Sequence, residues 1–347
     1  MGYMKALYTD KIDCPMTLDA VGGTERNRFV PLPSSTPTPF DNDPDLEPGS
    51  HLDDFTMPAF KRDLDEYIVG QENAKKQIAQ IVWSGCMCEH GGGVSTNLII
   101  GRPGSGKTAI MNALYEIFPK VTHWIDMSMI SAEGWKGMHM SDCLKAIPDD
   151  GRYHIVLLDE FDKLLHQRNG EADFHMAIQS NLLRMFQHDP LPYKGCCQPD
   201  HITWICAGAF DELWEKKKKR KTQLGFTADS EYTEEDGPIS FSEQDLIEET
   251  DLMSQLVSRF DRIITLDEPD LPLYQRLARK TVQDLSEVFE AKILIDDETL
   301  DALSTQALES AAGSRAIRKT LRCMIEDYIW DNPHYNEIDL RRPAMEM

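Results

Sequence analysis

Basic charge is scarce relative to acid in this 347-residue sequence: 36 lysines and arginines stand against 59 acids, a net charge of −23. A surface that acidic repels phosphate backbones, which disfavours nucleic acid as a partner and suits cationic peptides or basic client segments better. Long apolar runs are missing too. No stretch approaches the ~20 apolar residues of a membrane span, and the opening MGYMKALYTDKIDCPM has no apolar h-region. The expectation is a soluble, cytoplasmic protein without membrane contact. None of the eight cysteines (Cys14, Cys86, Cys88, Cys143, Cys196, Cys197, Cys206 and Cys323) stands in a C-x-x-C pair. A zinc framework therefore lacks its ligand spacing, and the cysteines read as reduced thiols. No internal repeat is present.

The sequence divides by composition. Residues 1–58 hold Pro31, Pro33, Pro37, Pro39, Pro44 and Pro48 among Ser, Thr, Asp and Gly, which buries too little to repay ordering and reads as a flexible arm. From Phe60 the spacing turns helical, with Ile78, Ile81 and Val82 at i, i+3, i+4. Short apolar runs follow at 97–101, 122–127, 154–160 and 201–210, and the sheet pattern ends near 264–270. Their near-continuous apolar character is that of strands covered on both faces. Helical spacing between them (KTAIMNALYEIF, FHMAIQSNLLRMFQ) predicts an α/β fold with a mostly parallel sheet flanked by helices, over 59–268. Residues 269–332 read as a smaller, mainly helical domain in which Asp297 caps a helix, and 333–347 as a tail.

Gly101-Arg102-Pro103-Gly104-Ser105-Gly106-Lys107-Thr108 fits G-x-x-x-x-G-K-[ST], between a strand and a helix. Its glycines let backbone N–H groups converge on phosphate oxygens at a helix N-terminus. Lys107 is expected to reach the β and γ phosphates and Thr108 to hold Mg²⁺. The run HIVLLDE ends a strand on an acid pair. Asp159 is expected to orient the magnesium water shell and Glu160 to polarise the attacking water. Together these parts point to ATP hydrolysis.

With those motifs in place, the run from Tyr67 to Trp330, about three quarters of the chain, resembles the ATPase part of a ClpX-type protein unfoldase of the AAA+ superfamily. The matching stretches are IVGQENAKK (68–76), the P-loop, VLLDEFDKL (156–164), ICAGAF (205–210), LVSRFDRIITL (256–266) and GSRAIRKTL (313–321), in family order. The resemblance implies an adenine slot at Ile68 and Val69. It also implies an arginine finger at Arg259 acting on a neighbour's nucleotide, with Arg262 as the alternative, and a sensor arginine at Arg315. A finger supplied in trans implies a homo-oligomeric ring, in this family a hexamer. Cys206, Ala207 and Gly208 offer no polar sensor, so that role stays unassigned.

The resemblance also bears on clients. Gly134-Trp135-Lys136-Gly137 aligns with the family's first pore loop, where an aromatic grips unfolded protein by contact area; a core tryptophan between glycines is the alternative. Lys136 departs from the family's aliphatic residue. QRNGEADF (167–174) corresponds to a second pore loop. Leu224-Gly225-Phe226, beyond the basic run Lys216–Lys221, aligns with the motif that docks ClpX-type rings onto a ClpP-like peptidase; the basic run reads as a solvated loop stem. Two family parts are absent: the N-terminal four-cysteine zinc module and a longer basic client loop near 189–200. A nucleic-acid remodeller or loader, and a regulatory switch that translocates nothing, are the other readings of the same ATPase fold.

Overall fold

The computed structural model describes residues 56–87, 94–131, 138–149, 152–165, 172–187, 199–224, 239–310 and 312–341, all within one compact unit. In chain order the elements begin with α1 (Met57–Tyr67), α2 (Glu72–Met87), β1 (Thr96–Ile100), α3 (Lys107–Ile117) and β2 (Thr122–Asp126). The short strands β3 (Ile130–Ser131) and β4 (Met138–His139) follow, then α4 (Met140–Lys145), β5 (His154–Asp159), α5 (Ala172–Phe186) and β6 (Ile202–Gly208). The large domain closes with α6 (Asp211–Leu224), α7 (Glu243–Glu249), α8 (Ser254–Val257) and β7 (Arg262–Thr265). Beyond it lie α9 (Leu271–Val288), β8 (Lys292–Leu294), α10 (Asp297–Glu309), α11 (Ser314–Asp331) and β9 (Glu337–Asp339).

Among the described residues the main sheet has five strands in the order β2-β5-β6-β1-β7, all parallel. Strand alternation explains why these runs are apolar throughout. Leu98, Ile100, Val156, Leu158, Trp204 and Cys206 face one core, while Ile99, Ile155, Leu157, Ile205 and Ala207 face the other. Because β1 pairs with β6 and not with β2, the loop leaving β1 opens beside the carboxyl ends of β5 and β6. Open α/β sheets bind ligands in such a crevice, where the strand order reverses.

The first helical stretch is broken in two. Gly70 (φ +74°) and Gln71 (φ +57°) take left-handed conformations that end the run after α1 and start α2 in a new direction. Helix α1 begins at Met57 behind the cap Thr56, just inside the segment expected to be an arm, because Phe60 and Leu64 are fully buried.

The small domain packs α9, α10 and α11 around their own core. Two differences from expectation stand out there. The α10 cap is Asp296, whose carboxylate accepts from Thr299 N at 2.7 Å, one residue before the expected Asp297. Residues 333–347 are not wholly a tail: β9 pairs in parallel with β8 and buries Ile338 and Leu340 in the small core. An apolar period of two over so short a strand leaves no legible signal until its partner is known.

The basic run also differs from its expected form. It lies on α6, and its side chains meet the acids that follow. Lys216 pairs with Glu249 at 3.1 Å, Lys217 with Asp245 at 2.8 Å and Lys218 with Glu268 at 2.7 Å, and Arg220 also pairs with Glu249. Opposite charge from another element offsets the like-charge repulsion that a lysine run meets on a helix.

Candidate active site

The P-loop joins β1 to α3 with Gly104 (φ +81°) and Gly106 (φ +107°) in conformations that side chains resist. Gly106 is itself the N-cap of α3, so the first N–H groups of that helix face the loop's concavity. Gly101 is needed for closeness: a Cβ there would lie 2.4 Å from Ser105 Oγ. Ser105 is 3 % exposed, and its Oγ has no hydrogen-bond partner. The Lys107 ammonium donates back to Gly101 O and to Arg102 O (3.1 Å). Burial pushes its pKa down, against the pull of Asp162, Asp159 and Asp211. A half-buried cation resting on its own loop carbonyls is a group that an anion satisfies.

Opposite the loop, β5 delivers Asp159 and the turn after it delivers Glu160. Glu160 has φ +53°, a sparsely populated conformation for a non-glycine residue, of the kind that gathers at functional sites. Its N–H donates to Asp159 Oδ1 at 2.9 Å. Burial raises the Asp159 pKa, with repulsion from Asp126 and Asp162 adding to it. Burial and then the charge of Asp126 raise the Glu160 pKa. Asp126 arrives there through register, since it pairs with Asp159 across β2 and β5.

A cleft of about 510 Å³ gathers these groups. The P-loop from Pro103 through Thr108, except Ser105, forms one wall, and Asp159, Glu160 and Asp162 form another. The small domain supplies the third: Leu277 and Thr281 of α9, with Ser314, Arg315 and Arg318 of α11. The domains touch closely here. A Cβ on Gly104 would meet the Gly313 Cα at 3.4 Å. Asp159, Glu160, Lys107, Thr108 and Arg315, remote in sequence, therefore share one space.

Other expected residues lie elsewhere. Ile68 and Val69 do not line the cleft; Ile68 is buried in the large domain's second core and Val69 is half-buried. Arg259 is exposed on the turn before β7, outside this cleft. Arg262 donates to Gln80 Oε1 of α2 at 2.7 Å. Trp135, Lys136, Gly225 and Phe226 lie outside the described residues, and Leu224 is described only as the last residue of α6.

Several cleft residues had no clear signal in the sequence. Asp162 sits at the end of β6, where the chain offers no polar side chain of its own: a Cβ on Gly208 would lie 3.0 Å from Asp162 Oδ1. The repeat of Asp at i+3 after Asp159 was the available hint. Asn112, Thr281 and Arg318 are polar positions one helical repeat from recognisable ones, but only the packed helices aim them at a common space.

Residues 97–217 match the model of the ATPase family associated with various cellular activities (AAA). Over those residues the chain is similar to an AAA ATPase domain. It is an ATP hydrolase with the AAA+ arrangement of a large parallel-sheet domain and a small helical one. Among curated proteins it is similar to the ATP-dependent Clp protease ATP-binding subunit ClpX of Porphyromonas gingivalis, at 20 % identity over 315 positions that cover 79 % of this chain and 77 % of the relative. The ClpX subunit of Bacteroides thetaiotaomicron is similar at 20 % identity, covering 79 % of this chain and 76 % of the relative. Among the described residues no helix is long and apolar enough to cross a membrane.

Proposed function

We propose that the chain is a cytoplasmic, ATP-driven protein unfoldase and translocase of the ClpX type, working in a homo-oligomeric ring, most simply a hexamer, that feeds a ClpP-like peptidase. The observation that carries the proposal is the shared cleft, in which the P-loop and the Asp159–Glu160 pair of one domain meet Arg315 of the other. A site walled by two domains makes hydrolysis sensitive to their relative position, which a mechanical enzyme requires.

In this reading the loop N–H groups and Lys107 hold the phosphates of ATP. Among the described residues no three His, Cys, Asp or Glu side chains are grouped to hold a metal ion. Thr108 and Asp159 would hold Mg²⁺, an ion that commonly takes only one or two protein oxygens. Bound there, it would neutralise charge developing on the phosphates. Glu160 accepts the proton of the attacking water. By the family resemblance Ile68 and Val69 would border the adenine, outside the cleft that takes the phosphates. Arg315, with Arg318 one turn on, closes over the nucleotide from α11. Arg259 lies exposed beyond its own cleft, which suits a guanidinium that completes a neighbour's site. Trp135 and Lys136 contact the translocated chain, and Leu224, Gly225 and Phe226 dock the peptidase.

The test is coupled. Addition of a permanently unfolded client should stimulate ATP hydrolysis, and a tagged fluorescent protein should lose its fluorescence only with ATP. Trp135→Ala should keep hydrolysis and lose unfolding, and Phe226→Ala should lose only degradation by an added ClpP-type peptidase. Hydrolysis indifferent to client, with no unfolding in the wild type, would sink the unfoldase reading and leave the ATPase standing.

A further inference from the structure

Gln71 has no part in the chemistry above, yet it sits where the phosphate loop, the interdomain strap and the small domain converge. It is 5 % exposed and held at φ +57°. Its carboxamide bonds through both ends. Nε2 donates to Ser105 O at 3.0 Å and to Asp267 O at 3.0 Å, while Oε1 accepts from Asp267 N at 2.8 Å. Ser105 is the P-loop residue whose buried hydroxyl lacks a partner. Asp267 opens the strap that runs from β7 to α9. One planar amide thus bonds the phosphate loop to the strap carrying the small domain.

The residues beside Gln71 press on the small domain directly. A Cβ on Gly70 would lie 2.8 Å from Leu273 Cδ1 and 3.6 Å from the Arg276 guanidinium, both on α9. Lys280 of α9 also donates to Glu66 O. The other side of the loop is pinned. Lys75, with a 2 % exposed side chain, donates to Ile68 O at 3.3 Å, and Asp65 and Glu72 hold its ammonium. A segment fixed at one side and bonded at the other passes a displacement on, because packed elements shift between discrete arrangements and do not deform smoothly. The left-handed conformation of Gln71 persists only where its surroundings over-determine it, as these three hydrogen bonds do.

We propose that Gln71 is a positioning residue that couples phosphate occupancy of the P-loop to the orientation of the small domain, and through it to the placement of Arg315. Only a neutral amide meets the demand, because the site presents two carbonyl acceptors and one N–H donor. A glutamate would set its charge against two carbonyls, and an apolar side chain would leave three backbone groups unpaired. The proposal rests on the reading of the cleft as the nucleotide site and deepens it.

The experiment is a double-mutant cycle on the full-length chain, joining Gln71→Met, which nearly conserves volume, with Arg315→Ala. Gln71→Met should leave the Kd of a non-hydrolysable ATP analogue within about three-fold while kcat falls about ten-fold, the size of a mid-range coupling. In the Arg315→Ala background the same change should lower kcat by no more than about two-fold, since the residue it positions is gone. Losses that simply multiply would overturn the coupling. A second arm stands if Gln71→Met does not fold. Gly70→Ala should lower kcat, and Leu273→Ala added to it should restore most of the loss by making room for the methyl. The backbone strain at Gly70 is common to both variants, so their comparison isolates the contact. No restoration would overturn the proposal. Absence of analogue binding by the wild type would instead sink the nucleotide-site reading itself.

Discussion

Replacing Lys107 by methionine should separate ligand binding from stability in opposite directions. Burial lowers the Lys107 pKa below its ordinary 10.5. The native protein therefore holds this proton less tightly than the unfolded chain does. Stability from this group is at its lowest below the depressed value and rises as pH climbs toward the ordinary one. At neutral pH the charged side chain is a liability of the nucleotide-free protein, only partly offset by its bonds to Gly101 O and Arg102 O. Losing two such bonds, each worth about 1 kcal/mol, against relief of desolvation should leave the apo stability within about 1 kcal/mol of wild type. Binding should respond far more. Removing a buried, hydrogen-bonded cation from a charged ligand costs about 2–5 kcal/mol, a rise in Kd of roughly 30- to 4,000-fold. At ATP a hundred times the wild-type Kd, the wild type gains about 2.7 kcal/mol, a rise in Tm of about 5–10 °C. The variant should gain less than about 1 kcal/mol at that concentration. Thermal unfolding with and without ATP and magnesium, beside equilibrium binding, reads both quantities. A variant that keeps the wild-type shift, or whose apo form loses more than about 3 kcal/mol, would refute the reasoning.

Glu160→Gln should retain ATP affinity while single-turnover hydrolysis slows by about 100- to 10,000-fold, the range for a lost general base; unchanged turnover would remove Glu160 from that role. Arg259→Ala should be nearly inactive alone but recover activity when mixed with Glu160→Gln, because each supplies what its neighbour lacks. A mixture no better than its parents would argue against the trans arrangement. Ile338 is fully buried in the small core, so Ile338→Ala should cost about 2–5 kcal/mol by denaturant unfolding. A chain ending at residue 341 should match full-length stability, whereas one ending at 332 should not. Burial would raise the Asp245 pKa, but the Lys217 hydrogen bonds and the Ser242 backbone and hydroxyl groups hold it below its ordinary 3.8. Its contribution is therefore complete above the ordinary carboxylate range and lost as pH falls through the lowered value. Asp245→Asn should cost about 1–3 kcal/mol at neutral pH and flatten the acid limb of the stability profile.

Features whose cause is local were legible in the order of residues alone. Strand runs such as HIVLLDE are apolar throughout because both faces are covered, and that pattern is visible before any fold is known. The P-loop is legible for the same reason: Gly104 and Gly106 need their backbone angles, and Lys107 and Thr108 follow at fixed positions in the next turn. The expected caps and tail failed by small amounts, at Asp296 and at β9, because a cap is fixed by one hydrogen bond and a three-residue strand by a partner some forty residues away. Whatever depends on two distant elements meeting had to wait for the packed molecule. It placed Asp162 over the end of β6, tied Arg262 to Gln80, turned the lysine run into a helix paired with later acids, and joined Ser105 to Asp267 through Gln71. Periodicity states which face of an element is apolar, but not which element that face will meet. For this protein, the meeting of two domains across the cleft is what turns a phosphate-binding loop into a candidate motor site.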